Sequence, residues 1–138
     1  ELAQHVSRQA KSGDLILLSG QIGAGKSEFA RAMIQALADR KIEVPSPSYS
    51  LMQPYALDNL NVLHVDLYRL GDISEVVELG LDDYFDDHLV IVEWPERAAG
   101  HLPPATLHVD LSVSGTERIA ILKDSSDRYN QSTNPADV

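Results

Sequence analysis

Cysteine is absent from this 138-residue chain. Disulfides, thiolate zinc sites and cysteine nucleophiles are therefore excluded. Long apolar runs are missing too: none approaches the roughly 20 residues that a membrane span needs. The opening stretch, residues 1–11, looks amphipathic and lacks the apolar centre of a signal peptide. These absences are those expected of a cytoplasmic protein. Cations are scarce. Eleven Lys and Arg stand against twenty-one Asp and Glu, for a formal net charge of −10 and a pI of about 4.7. A protein that grips RNA or DNA by itself normally presents a basic face. Direct, stable nucleic-acid binding is thus not expected, and a basic protein partner is easier to accommodate.

What is present suits one soluble domain. Hydrophobic residues make up 43% and charged residues 23%, both ordinary for a globular protein. Leu2, Val6 and Ala10 recur at helical spacing, and Ser12, Gly13 and Asp14 end that helix near Lys11. Residues 15–18 form a short continuous apolar run, as in a strand buried on both faces. Glycines follow at 20, 23 and 25, and from Lys26 onward Phe29, Met33, Ile34 and Leu37 keep one helical stripe. Pro45, Pro47 and Pro54 make residues 44–55 extended or looped. Further strands are expected at 62–67, 89–92, 107–113 and 119–122, with a hairpin through Ser114 and Gly115. A short helix is expected at 75–79, capped by Asp72 or Ser74. The expected fold is α/β: a three-layer, P-loop NTPase-like domain over residues 1–124. Its central sheet is mixed and largely parallel, with a C-terminal hairpin. Residues 125–138 read as a polar, loose tail.

The strongest chemical signal is GQIGAGKS, residues 20–27. It has the Walker A spacing, between an apolar strand and an amphipathic helix. Gly20, Gly23 and Gly25 let the backbone curl and turn its N–H groups toward phosphate oxygens, with Gln21, Ile22 and Ala24 between them. The helix that starts there favours an anion at its positive end. Lys26 can reach the β- and γ-phosphates, and the Ser27 hydroxyl can ligate magnesium. A carboxylate from a neighbouring strand end is needed as well. Glu93 follows an apolar run, and so does Asp66. Trp94 either stacks near the nucleotide or fills the core. His64, inside an apolar strand, reads as a structural histidine. Arg69 and Arg118 can supply positive charge to the phosphates. The acidic cluster Asp82, Asp83, Asp86 and Asp87 reads first as a solvated face and second as a docking patch.

Several motifs together resemble the bacterial TsaE family, the small ATPase of tRNA threonylcarbamoyladenosine biosynthesis. They are GQIGAGKS, SPSYSLMQPY, HVDLYRL, VVELGLDDYF, VIVEWPE and the LP of GHLPP, in that order over residues 15–103. Departures are small: Gln21 and Ile22 replace Asp and Leu, and Ser27, Ser48 and Ser50 replace threonines. The resemblance implies a magnesium-dependent ATPase, weak alone, that binds the threonylcarbamoyl-transfer proteins and resets their complex between cycles. Carried onto this sequence, it gives an ATP site of Gly20, Gln21, Ile22, Gly23, Ala24, Gly25, Lys26 and Ser27, with Trp94 nearby and Arg118 added for its charge. Ser27 and Glu93 are the implied magnesium ligands. Lys26, Asp66 and Glu93 are the implied catalytic residues. Ser46, Pro47, Ser48 and Tyr49 are the implied switch-like segment that senses the γ-phosphate. The alternative is a small-molecule or nucleotide kinase, which needs an arginine-rich lid. The seven arginines here form no basic cluster after the P-loop helix.

Overall fold

The computed structural model describes residues 1–45, 51–98 and 100–129. The switch-like segment, residues 46–49, lies outside the described residues. Six strands form one sheet: β1 (Leu15–Gly20), β2 (Met52–Ala56), β3 (Asn61–Asp66), β4 (Leu89–Glu93), β5 (Leu107–Ser114) and β6 (Glu117–Asp124). Their spatial order is β2-β3-β4-β1-β5-β6. The β3–β4, β4–β1 and β1–β5 pairs are parallel, while β2 and β6 are antiparallel edges. The sheet is therefore mixed and largely parallel, as the sequence pattern requires. The central strands β1, β3 and β4 are largely apolar and buried because both faces are covered, with His64, Asp66 and Glu93 as buried polar exceptions. All five residues of β4 are buried.

One face carries α1 (Leu2–Gln9) and α2 (Lys26–Ala38). Leu2, Val6, Ala30, Met33 and Ile34 pack there on Ile16, Leu18 and Ile91. The other face carries α3 (Ser74–Glu78) and two 3₁₀ turns, Leu81–Asp83 and Pro95–Ala98. Val76, Leu81 and Ala98 pack there on Val65, Val90 and Val92. The expected cap of α3 is not made: Ile73 holds the N-cap position without a side-chain cap bond, Ser74 is already the first helical residue, and the Asp72 carboxylate closes a local turn just before the helix by accepting the Ser74 N–H at 3.1 Å.

Two further expectations change. The extended segment after residue 44 includes a true strand, β2, paired to β3 from Met52↔Val65 to Ala56↔Asn61. Pro54 sits within it, which an edge strand tolerates because one side makes no ladder bonds. Residues 125–129 are not loose. Tyr129 is fully buried against the α1 side of the core. Its hydroxyl and the Arg128 guanidinium both donate to the Asp14 carboxylate, and His5 Nε2 donates to the Tyr129 carbonyl at 3.0 Å. A buried aromatic with a satisfied hydroxyl fixes a segment whose composition alone reads as polar.

Candidate nucleotide site

The glycine loop joins β1 to α2 at the carboxyl end of the parallel strands, the edge where α/β sheets bind ligands. Gly20 has φ 140°, and a Cβ there would lie 2.2 Å from the Leu111 carbonyl oxygen. Only glycine lets β1 leave the sheet this close to β5. Gly25 has φ 105° and touches the Arg118 guanidinium, whose Nη1 lies 2.7 Å from where a Cβ would be. Arg118 on β6 is thereby brought against the loop.

The chemical groups converge behind it. Lys26 Nζ donates to the carbonyls of Gly20 at 2.5 Å and Gln21 at 2.9 Å. It also lies 4.1 Å from the centroid of the Trp94 ring, within cation–π range. Burial pushes the Lys26 pKa below the ordinary lysine value, against the pull of Glu93, Glu96, Asp66 and Glu28. Ser27 Oγ donates to Glu93 Oε1 at 2.8 Å. The other oxygen, Oε2, accepts from His64 Nε2 at 2.6 Å. Both members of that pair are essentially solvent-free, and the His64 Nδ1 has no partner among the described residues.

Parallel pairing of β3 and β4 puts Asp66 directly beside Glu93. Asp66 is buried, and its Oδ1 accepts the Tyr68 N–H at 3.0 Å. Trp94 takes a left-handed backbone conformation, φ 58°, as the chain leaves β4. Its ring centroid stands 5.0 Å from that of Tyr68 at a tilt of 45°, and the Arg97 guanidinium lies 5.7 Å from the Tyr68 centroid. Lys26, Trp94, Tyr68 and Arg97 thus form a contiguous cation–aromatic cluster.

Two clefts flank the loop. One, of about 350 Å³, is lined by Lys26, Ser27, Asp66, Tyr68, Glu93 and Trp94. The other, of about 360 Å³, is lined by Leu2, Gly25, Glu28, Phe29, Leu111 and Arg118. A larger hollow of about 630 Å³ beside α1 has Arg8 and Lys11 on its wall. It contains neither the acid pair nor the glycine loop.

The structure thus brings Lys26, Ser27, Asp66, Glu93 and Trp94 together, with Arg118 at the far side of the loop. Ala24 also packs into the core. His64 and Tyr68 are additional. Tyr68 was detectable in the run that follows Asp66; His64 carried no signal beyond its apolar neighbours.

A family model described as "Threonylcarbamoyl adenosine biosynthesis protein TsaE" matches residues 1–120. The chain belongs to the TsaE family. A Rickettsia felis protein named for tRNA threonylcarbamoyladenosine biosynthesis is 34% identical over 113 residues, 82% of this chain and 66% of that protein. The corresponding Bacillus subtilis protein is 34% identical, covering 84% of this chain and 72% of its own length. The Haemophilus influenzae one is 37% identical, covering 70% and 61%. The match therefore spans slightly under two thirds of some relatives, including the Rickettsia felis one. The crystal structure of Bacillus subtilis YdiB superposes with a TM-score of 0.72 at 28% identity, covering 93% of this chain and 79% of that one. The fold of this TsaE-family chain is P-loop NTPase-like.

Proposed function

We propose that this chain binds ATP with magnesium at the glycine loop and hydrolyses it, as the ATPase subunit of the machinery that places threonylcarbamoyl on the adenosine next to the anticodon of tRNA. The observation that carries this reading is the chain Ser27–Glu93–His64, with Asp66 in register beside Glu93. It sets a hydroxyl and two carboxylates at the start of a helix and the end of a phosphate-type loop.

The donor set fits magnesium. Ser27 Oγ and Glu93 Oε1 are hard oxygens 2.8 Å apart, and magnesium takes its remaining ligands from phosphate and water. Held by Ser27 and Glu93, the ion would supply positive charge to neutralise the phosphates. The residues do the rest. Loop N–H groups and the α2 N-terminus hold phosphate oxygens. Lys26 turns from the loop carbonyls to those oxygens. Asp66 accepts a hydrogen bond from the water that attacks the γ-phosphorus, so the bond to ADP breaks in line. Arg118, across Gly25 in the second cleft, supplies positive charge on the far side of the loop, with Phe29 and Leu111 as apolar walls of that cleft.

The proposed partners are the threonylcarbamoyl-transfer proteins, which hydrolysis resets between cycles. A net charge of −10 favours basic protein faces over bare tRNA. Asp82, Asp83, Asp86 and Asp87 are exposed and available to such a face. Binding is expected with ATP more than with ADP, and it weakens as salt rises, since exposed charges are screened beyond about 8 Å at physiological ionic strength. A titration against those purified proteins tests it. Binding to bare tRNA in their place would overturn it.

The two acids are separable. Glu93→Ala is expected to raise the magnesium concentration needed for half-maximal turnover about tenfold or more. Asp66→Ala is expected to keep nucleotide affinity within about threefold and cut turnover by about 10²-fold or more. Phosphate release without an acceptor and magnesium titrations read both. The opposite pattern reverses the roles.

A further inference from the structure

β6 ends the sheet and is paired, among the described residues, on one side only. Alternation along the strand puts Glu117, Ile119, Ile121 and Lys123 on one face and Arg118, Ala120 and Leu122 on the other. Ala120 and Leu122 pack toward the core under α1 and α2. Ile119 and Ile121 therefore look to the opposite face, where the α3 layer covers β1, β3 and β4. They are 40% and 57% exposed, and their β5 neighbours on that face are Ser112 and Asp110.

An open edge carrying exposed β-branched residues is a template for another strand, and charges on it ordinarily block that pairing. Here the charges are ordered so that they do not repel a second copy. Laid antiparallel on itself about Ala120, the strand sets Glu117 opposite Lys123 and Ile119 opposite Ile121. Two-fold symmetry makes each pair twice. Centring on Ile121 instead sets Ile119 against Lys123 and Arg118 against Asp124, but the Arg118 guanidinium lies against Gly25 and the Asp124 carboxylate already accepts from Ser126 and Tyr129. Centring on Ile119 sets Glu117 against Ile121.

We propose that β6 is a self-association edge, pairing with β6 of a second copy about Ala120 to make one sheet continuous across a two-fold axis. Such an interface is isologous. It rests on one strand, so it belongs with small, weak interfaces and yields a micromolar-range dimer. Its argument does not depend on the nucleotide reading.

Sedimentation across the micromolar range tests it, with circular dichroism as the check on folding. The wild type is expected to show a concentration-dependent monomer–dimer equilibrium. Glu117→Lys and Lys123→Glu each make both cross-strand pairs like-charged, and each should weaken dimerisation by about three- to tenfold. The double variant should restore it. Because the chain has no cysteine, cross-linking gives a second readout. Residues opposite each other across an antiparallel pair have Cα atoms about 4.5–5.5 Å apart, within the about 4.4–6.8 Å that a disulfide spans. Ala120→Cys is expected to form a covalent dimer under mild oxidation, and Glu117→Cys, whose copies lie at opposite ends of the paired segment, is not. A monomer at every concentration, a dimer indifferent to both charge reversals, or equal cross-linking by the two cysteine variants overturns the proposal.

Discussion

Glu93 is held from two sides, by Ser27 on one oxygen and His64 on the other. Replacing His64 by Leu leaves a buried carboxylate oxygen without its donor. An unsatisfied buried group of this kind costs about 1–3 kcal/mol, more when charged. The expected result is a lower midpoint in urea denaturation together with a higher magnesium requirement for turnover. His64→Gln keeps an N–H donor and is expected to recover part of both. A loss of stability with an unchanged magnesium requirement would make His64 a packing residue only. Lys26, Ser27, Asp66 and Glu93 could be read from the sequence because local spacing and strand ends mark them. His64 could not. Its contact with Glu93 follows from the β3–β4 register, in which Asp66 pairs with Glu93 and His64 with Ile91, and no local pattern states a register.

Among the elements, the β1-to-loop junction is the least tolerant of change. A methyl group on Gly20 would meet the Leu111 carbonyl at 2.2 Å, on a backbone that L-residues rarely adopt. Moving β5 away would open the β1–β5 ladder from Ile16↔Leu107 to Gly20↔Leu111. Gly20→Ala is therefore expected to destabilise by about 2 kcal/mol or more, read as a fall in melting temperature. Gly23→Ala meets nothing within 4 Å and carries only the strain of its φ of 84°, so it is expected to be the milder of the two. The central strands and α2 were evident because their apolar runs and stripe are continuous. β2 was less evident because Pro54 interrupts it and its residues are half-exposed. An edge strand needs no apolar run, and its pairing with β3 supplies the order.

Across the whole molecule, the end of the described chain closes on its beginning. Asp14, at the entry to β1, receives both the Tyr129 hydroxyl and the Arg128 guanidinium, and Arg128 also donates to the Gln9 carbonyl at 2.6 Å. Burial, and then the bond to Asp14, pushes the Tyr129 phenol well above its usual range. A folded-state value above the unfolded one means that this contribution is complete below about pH 10 and is lost as pH rises further. Tyr129→Phe is expected to destabilise by about 1–3 kcal/mol at pH 8 and to flatten the fall in melting temperature above pH 10. Melts from neutral to alkaline pH compare the two proteins directly. Nothing in the polar run after residue 124 announces this clasp. It joins positions more than a hundred residues apart, and a single aromatic carries no periodicity.

Trp94 is the only tryptophan, and its indole lies under the Lys26 ammonium and beside Tyr68. The protein therefore carries a built-in optical reporter at one address. Indole emission responds to nearby charge, so a phosphate chain that draws Lys26 off the ring shifts the whole tryptophan signal rather than a fraction of it. Occupancy can then be followed in unlabelled protein, one wavelength scan per ligand addition, and Lys26→Ala provides the trace in which that charge is missing from the start.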